Sequence, residues 1–387
     1  MKIIVLGCGN IGSVTAKDLA ESLPSAKIVI SDVDKNRAER TASKINRDNV
    51  SWAQTDATNR TLLMNTIKKF DLAVGALPGR MGYRTCKASI SAKVDMVDVS
   101  YMPEDVMALN KDASKARVCI VPDCGMSPGL GSILAGRAVS ELDRVESIHM
   151  LNGGLPEKPV PPLGYVVTWS VKDLIDMYMR KVAIVKESKV IQVEAMSGLE
   201  KITFPGVGKL EAFYTDGLRT MLHTFKGVKD MWEKSLRYPG HVEKIKLLKT
   251  LGFFDEKPVE VENFKIPPRE IAAILLEKKL KRPEVPDIVV MLVEVVGLKG
   301  NKKVTYTYHV LDRYDEKGNV TAMARTTAYT TSVVAQLLAK KTIKEKGVIS
   351  PEGLGLKKKV YSEFISMMKR RRVNVKESRR TQRVSVH

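Results

Sequence analysis

Residues 1–32 read MKIIVLGCGNIGSVTAKDLAESLPSAKIVISD, and the reading of this stretch decides the fold. The apolar run Ile3 to Leu6 has the character of a buried parallel strand, and it breaks at Gly7-Cys8-Gly9-Asn10-Ile11-Gly12. Beyond the break the periodicity turns helical. Gly12, Ala16, Leu19, Ala20 and Leu23 fall on one face, so Gly12 sits where a helix approaches a sheet closely. Gly7 suits a tight turn, Gly9 lets the backbone touch a pyrophosphate, and Asn10 and Ile11 open the helix whose N-terminus meets that charge. A second strand ends at Asp32, twenty residues past Gly12, where the ribose of a dinucleotide presents its 2′-hydroxyl. A glycine-rich turn alone is weak evidence, but a strand before it, a helix after it and an acid at this distance point to a dinucleotide site. The Asp32 carboxylate would repel a 2′-phosphate, so NAD is expected ahead of NADP, with Lys35 and Arg37 the neighbours able to reverse that preference.

Outward from this unit, helical and strand patterns alternate. Strands are expected at 50–53, 70–76, 94–100 and 118–121, separated by helices at 35–46, 60–68, 83–91 and 106–115. With the first two, that makes six strands alternating with helices, a doubly wound parallel sheet of the α/β class. Ligands of such sheets lie outside the carboxyl ends of the strands. This singles out Asp56 with Ala57, then Ala76-Leu77-Pro78, then Asp98-Val99-Ser100, then Asp123-Cys124-Gly125.

Past Gly125 the pattern changes. A helix is expected to open near Pro128 and run to 142, because proline is tolerated at the first helical position. Strands follow at 145–151, 190–193, 288–296 and 304–310, the last two joined through Gly300-Asn301 as a hairpin. An α+β domain with an antiparallel sheet is the expectation for 126–325, after a dinucleotide-binding domain over 1–125. Residues 326–387, with a small-residue-rich helix over 321–341 leading into them, are expected to pack back onto the first domain.

At 387 residues the chain is long enough for two domains, each with a sizeable core. It enters a strand at once, with no basic n-region, which argues against a signal peptide. The longest apolar run, 288–298, is interrupted by Glu294 and is too short for a bilayer, so a cytoplasmic location without a membrane partner is expected. Cys8, Cys86, Cys119 and Cys124 show no paired spacing and the five histidines are scattered, so neither a disulfide framework nor a zinc site is suggested. The net charge is +20, of which residues 357–387 carry nine. Lys369-Arg370-Arg371-Arg372 could release counterions from a nucleic acid, but no aromatic interleaving or nucleic-acid module accompanies it. A solvated, partly helical end is the expected reading, and nucleic acid is not an expected partner.

Several stretches resemble the saccharopine dehydrogenase family. In the first half these are Gly7 to Gly12, Ala76-Leu77-Pro78-Gly79, Asp98-Val99-Ser100, the run Pro122 to Gly129, Gly153-Gly154-Leu155-Pro156 and Pro162-Leu163-Gly164-Tyr165. In the second half they are Leu210-Glu211-Ala212-Phe213, Arg237-Tyr238-Pro239-Gly240-His241, the run Val320 to Arg325, and Gly347-Val348 with Pro351-Glu352. The second set looks most like the lysine 6-dehydrogenase members. The resemblance implies a Rossmann domain joined to a substrate and dimerisation domain, hence a homodimer or higher homo-oligomer. It also implies a pyridine nucleotide, NAD in the lysine branch, and NAD-dependent oxidation of the ε-amine of L-lysine to allysine with release of ammonia.

That chemistry needs a neutral amine, and free lysine titrates near pKa 10.4, so a general base is required. Asp98, at a strand end, and His241, which titrates nearer neutrality, are the candidates. Arg237 is the expected clamp for the substrate carboxylate, because a planar guanidinium donates two parallel hydrogen bonds. Cys124 is expected to wall the nicotinamide position, and Tyr165 and Thr168 to close over the substrate. The main alternative is a saccharopine-type enzyme working on a secondary amine, for which Arg80, Arg180 and Arg219 could form a second anion site. A non-enzymatic dinucleotide-sensing or nucleic-acid-associated module is the third reading.

Overall fold

The computed structural model describes residues 1–383. Its first sheet is built from β1 (Lys2–Leu6), β2 (Lys27–Asp32), β3 (Val50–Gln54), β4 (Leu72–Gly75), β5 (Asp95–Asp98) and β6 (Cys119–Val121). The connecting helices are α1 (Asn10–Ser22), α2 (Lys35–Ile45), α3 (Arg60–Ile67), α4 (Gly79–Ala92) and α5 (Asn110–Ala116), the last preceded by a 3₁₀ turn at Val106–Leu109. All pairings are parallel, and β1 lies between β2 and β4, so the strand order reverses beside β1. The expected α/β sheet is present, and its switch point is the carboxyl end of β1, where a cleft opens. Ile3, Ile4, Val5, Ile28 and Ile30 are buried, because helices cover both faces of the sheet.

The second unit comprises α6 (Leu130–Val139), β7 (Arg144–Pro156), α7 (Val171–Met179), β8 (Val182–Lys186), β9 (Lys189–Val193), β10 (Glu200–Phe204), β11 (Gly208–Tyr214), α8 (Met221–Thr224), β12 (Asp230–Arg237) and α9 (His241–Thr250). It continues through a small hairpin, β13 (Val259–Val261) and β14 (Phe264–Ile266), then α10 (Pro268–Leu280), β15 (Asp287–Lys299) and β16 (Lys302–Arg313). The expected hairpin through Gly300-Asn301 joins β15 and β16, with Gly300 at φ +59° in the turn. The large sheet is mixed rather than antiparallel as expected, because β12 runs parallel to β7. The chain leaves β7 through α7 and four short strands, and this long excursion returns it in the same direction.

The chain then passes through α11 (Ala322–Ala339), β17 (Gly347–Val348), α12 (Pro351–Gly355), α13 (Lys358–Arg370) and β18 (Val375–Arg383). Helix α11 lies between the two sheets and is buried along most of its length. It carries polar residues there at little cost, since the hydroxyls of Thr326, Thr330 and Thr331 each donate to the carbonyl four residues back. Strand β17 extends the first sheet beside β6, whereas β18 is hydrogen-bonded to β16 in the second. The basic run is not simply solvated: Arg371 donates through Nε and Nη2 to the two Asp18 oxygens at 2.7 and 2.8 Å, tying the end of α13 to α1. No helix among the described residues is long and apolar enough to cross a membrane.

Candidate functional site

A single cavity of about 860 Å³ runs from the carboxyl ends of β1 and β2 to the inner face of β12. Its first half is the glycine turn. Gly7 has φ +108°, and a Cβ there would overlap the Ala76 carbonyl, while a Cβ on Gly12 would overlap the Gly7 carbonyl. Gly12 therefore lies behind the wall, as the close helix–strand contact. Gly9 caps α1 without any side-chain hydrogen bond, and open space stands over it. The unsatisfied N–H groups of a thirteen-residue helix thus face the cavity, an arrangement that fits a pyrophosphate.

Asp32 lines the cavity and accepts from the Cys8 N–H at 2.9 Å and the Asp34 N–H at 3.1 Å, while Arg37 stands 4.0 Å away. Asp56 accepts from the hydroxyl and the N–H of Thr58, which hold its carboxyl below the usual range. Asn10, Ile11, Ala57, Ala76, Leu77, Pro78 and Ser100 complete this half. Two contacts bridge the domains across it: Asn10 Nδ2 donates to the Thr168 carbonyl at 3.5 Å, and the Gly79 N–H donates to Asp173 at 3.2 Å.

The second half is made by β12 and its surroundings. Side chains of a strand alternate, so Glu233, Ser235 and Arg237 point the same way, and all three line the cavity. Arg237 is 4 % exposed, donates to the Leu236 carbonyl at 2.8 Å, and stacks 4.4 Å from the Tyr165 ring. Its Nε is buried without a partner, and no carboxylate among the described residues comes within ion-pair distance. Asn152 Nδ2, also in the lining, is likewise buried and unpartnered. A desolvated cation with a spare donor is fitted to receive a carboxylate. Glu233 accepts from the Ser127 hydroxyl at 2.7 Å, and burial without a paired cation pushes its carboxyl up to about 7. Gly217 leaves it room, since a Cβ there would overlap the carboxylate. Asp123 has φ +52° and is backed by Arg219, whose Nε lies 3.2 Å from Oδ2.

Of the residues expected in the site, Arg237, Tyr165 and Thr168 reach the cavity, whereas His241, Cys124 and Asp98 do not. His241 is engaged on both ring nitrogens, by the Tyr178 hydroxyl at 2.8 Å and the Leu163 carbonyl at 2.9 Å. Burial and the neighbouring Arg237 push its pKa down to about 3, so it stays neutral and carries no catalytic proton. Cys124 is fully buried, its carbonyl accepts from Thr331, and burial raises its thiol, so it forms no wall of the cavity. Asp98 stands one layer behind, accepting from the Ser100 N–H at 2.8 Å, with burial pushing it up to about 7. Arg180 and Arg219 are committed to Asp216 and Asp123, leaving Arg80 as the one of the three proposed arginines in the lining. Glu233 escaped the sequence reading because the stretch DMWEKSLR, residues 230–237, shows no apolar/polar alternation and so carries no strand signal of its own.

The pattern described as the Saccharopine dehydrogenase NADP binding domain matches residues 3–121, and that described as the Saccharopine dehydrogenase C-terminal domain matches residues 125–373. Alpha-aminoadipic semialdehyde synthase, mitochondrial, of Bos taurus is 26 % identical over 268 residues, which cover 66 % of this chain and 28 % of that protein. Saccharopine dehydrogenase [NADP(+), L-glutamate-forming] of Saccharomyces cerevisiae is 24 % identical over 217 residues, covering 53 % of this chain and 49 % of that one. The match to the first of these relatives thus spans less than a third of its length. The solved structure of apo histidine-tagged saccharopine dehydrogenase (L-Glu forming) from Saccharomyces cerevisiae shares the fold, with a TM-score of 0.78 over 98 % of this chain and 99 % of that one at 18 % identity. With both halves matched, by patterns that together cover nearly all of its length, the chain belongs to the saccharopine dehydrogenase family.

Proposed function

We propose that this protein is a nicotinamide-dinucleotide-dependent dehydrogenase acting on a saccharopine-type substrate, a secondary amine that joins the side chain of one amino acid to a second, dicarboxylic one. The observation that carries the reading is the unbroken cavity from the glycine turn to Arg237, which sets a dinucleotide cleft end to end with an unpaired buried guanidinium. Arg80 and Lys281 add cations nearer the surface of the same cavity. Free L-lysine, the substrate expected from the sequence, has one carboxylate and would use only the first of these three. The family match and the named relatives support the same choice.

The bound nicotinamide supplies the hydride acceptor. Before hydride can leave, the substrate ammonium must lose a proton, since a cationic nitrogen has no electron pair to form the imine. Glu233, with its carboxyl near 7, is suited to take that proton, and the Ser127 hydroxyl fixes the orientation of the carboxylate. Arg237 holds the α-carboxylate at one end and so aligns the reacting carbon. Water then divides the imine into an aldehyde and a primary amine.

Incubating the protein with NAD or NADP and either saccharopine or L-lysine, and following reduced coenzyme together with glutamate and ammonia, tests the reading. Glutamate formed from saccharopine is the expected result. Ammonia released from L-lysine would instead establish ε-deamination, and reduction with neither substrate would end the proposal. For the coenzyme, Asp32 favours the ribose 2′-hydroxyl and hence NAD. Asp32→Ala is expected to raise KM for NAD about tenfold, the loss of roughly one charge-assisted hydrogen bond, and to leave that for NADP unchanged or lower. Equal changes for both coenzymes would place the selectivity elsewhere.

A further inference from the structure

Beside Glu233 runs a chain of four ion-paired side chains that the proposed chemistry does not use. Arg219 donates through Nε and Nη2 to the two oxygens of Asp123, at 3.2 and 3.3 Å, and its Nη1 stands 3.8 Å from Asp216 Oδ2. Arg180 stands 3.6 Å from the same oxygen, and the Tyr101 ring lies 4.8 Å from Arg180 and 5.7 Å from Arg219. The side chains of Arg219 and Asp123 are 7 % and 1 % exposed, and an ion pair so buried returns little net stability, because desolvation offsets its attraction. Both residues also hold left-handed backbone, φ +49° for Arg219 and +52° for Asp123. That conformation is uncommon for arginine and persists where the surroundings over-determine it.

The turn that carries Arg219 presses on Glu233. The Thr215 N–H donates to the Glu233 carbonyl at 3.2 Å, and the Thr215 hydroxyl is bonded to that of Ser235 at 3.0 Å. A Cβ on Gly217 would overlap the Glu233 carboxylate, and Gly217 has no left-handed φ, so this close approach and not the turn demands glycine. Arg219 is two residues from that contact, yet its partners are Asp123 and Asp216. The other groups around the carboxylate leave it unpaired. Lys234, on the opposite face of β12, is bonded to Glu200 at 2.8 Å, and Arg237, two residues along the same face, donates to the Leu236 carbonyl. Ser127 and Asn152 face the cavity as neutral groups, and Asp98 lies behind it.

We propose that Asp123, with Asp216 behind it, is a positioning residue for the base: by engaging Arg219 it keeps that guanidinium off Glu233 and leaves the carboxylate free to take the substrate proton. This rests on the reading of Glu233 as the general base. A guanidinium paired with Glu233 would hold the carboxylate ionised and occupy the lone pairs that the proton needs. Asparagine at 123 keeps the shape of the aspartate but not its charge, so it releases the arginine next to the Gly217 contact.

Two pH profiles of the full chain test this: kcat/KM with saccharopine, and the melting temperature of the free protein with and without Glu233→Gln. In the unaltered protein the step that Glu233→Gln removes is expected at about 7 in both. In Asp123→Asn it is expected about 1–3 pH units lower, with kcat reduced about tenfold because a paired carboxylate is a weaker base. Asp216→Asn loosens the same arginine from its more exposed side, so a smaller move in the same direction is expected, and this variant carries the test if Asp123→Asn does not fold. Adding Arg219→Gln to Asp123→Asn is expected to return the step to about 7, a rescue that a packing defect does not give. A Glu233 step that stays at about 7 in the asparagine variants overturns the proposal. Activity lost in Asp123→Asn and not regained in the double variant also overturns it, since Asp123 would then act on the substrate itself. A step that moves in the melting curves while kcat/KM does not follow overturns the base assignment, and with it the role given to Asp123.

Discussion

Glu233→Gln is expected to lower kcat by roughly two to four orders of magnitude, the usual contribution of a positioned general base. The substitution keeps the volume and can still accept from the Ser127 hydroxyl, so the loss reports the proton step and not a rearranged wall. The pH dependence makes the test sharper. With its carboxyl near 7, Glu233 is protonated in acid, so kcat/KM for the unaltered enzyme should climb as pH rises through about 7. That limb should vanish in the glutamine variant. Stability moves in the opposite direction. A carboxyl raised on folding from 4.5 to about 7 contributes stability in full below 4.5, which is lost as pH rises through 7 and amounts to about 3 kcal/mol. At pH 8 the variant should therefore melt no lower than the parent. Asp98 also titrates near 7, so the quantity to measure is the difference between the two proteins across that range. A variant that is inactive and also less stable at pH 8 would show Glu233 to be a structural group.

Arg237→Met is the second large effect. A carboxylate bound to this desolvated guanidinium loses a partner that costs about 2–5 kcal/mol to remove, so KM for the amino-acid substrate should rise by roughly 30-fold to several thousandfold. KM for the coenzyme should stay as it was. The unliganded protein should be as stable as before or more so, because methionine replaces a buried charge that has no carboxylate to face. Calorimetric titration with substrate, alongside a melting curve of the free protein, separates these outcomes. Unchanged substrate affinity would remove Arg237 from the clamp role. A fall in stability with unchanged affinity would make it a packing residue held by Tyr165 and Leu236.

The dinucleotide half of the site was legible because its determinants are local. The Gly7 turn, the N-terminus of α1 and the carboxylate of Asp32 all lie within one βαβ unit, and the periodicities of strand and helix announce them. Arg237 was legible as a residue type suited to carboxylates. Glu233 was not, because its meaning depends on Ser127, 106 positions away, and on burial without an ion-paired cation. His241 shows the converse. Its intrinsic pKa suggests a proton carrier, yet Tyr178 and the Leu163 carbonyl, 63 and 78 positions distant, occupy both nitrogens and hold it neutral. The mixed character of the large sheet was hidden for a related reason: strands rich in charge, such as β12, read as loops until the partners that bury them are known.

The pairing of Asp18 with Arg371 links positions 353 residues apart. The helix that would cradle the pyrophosphate is made long before the guanidinium that braces its far end. Folding of the nucleotide cleft therefore depends on long-range closure, and a growing chain carries an unbraced α1 until Arg371 has been made. Fragments ending just before Arg371 should therefore hold the coenzyme poorly even though all the residues lining the cavity are present.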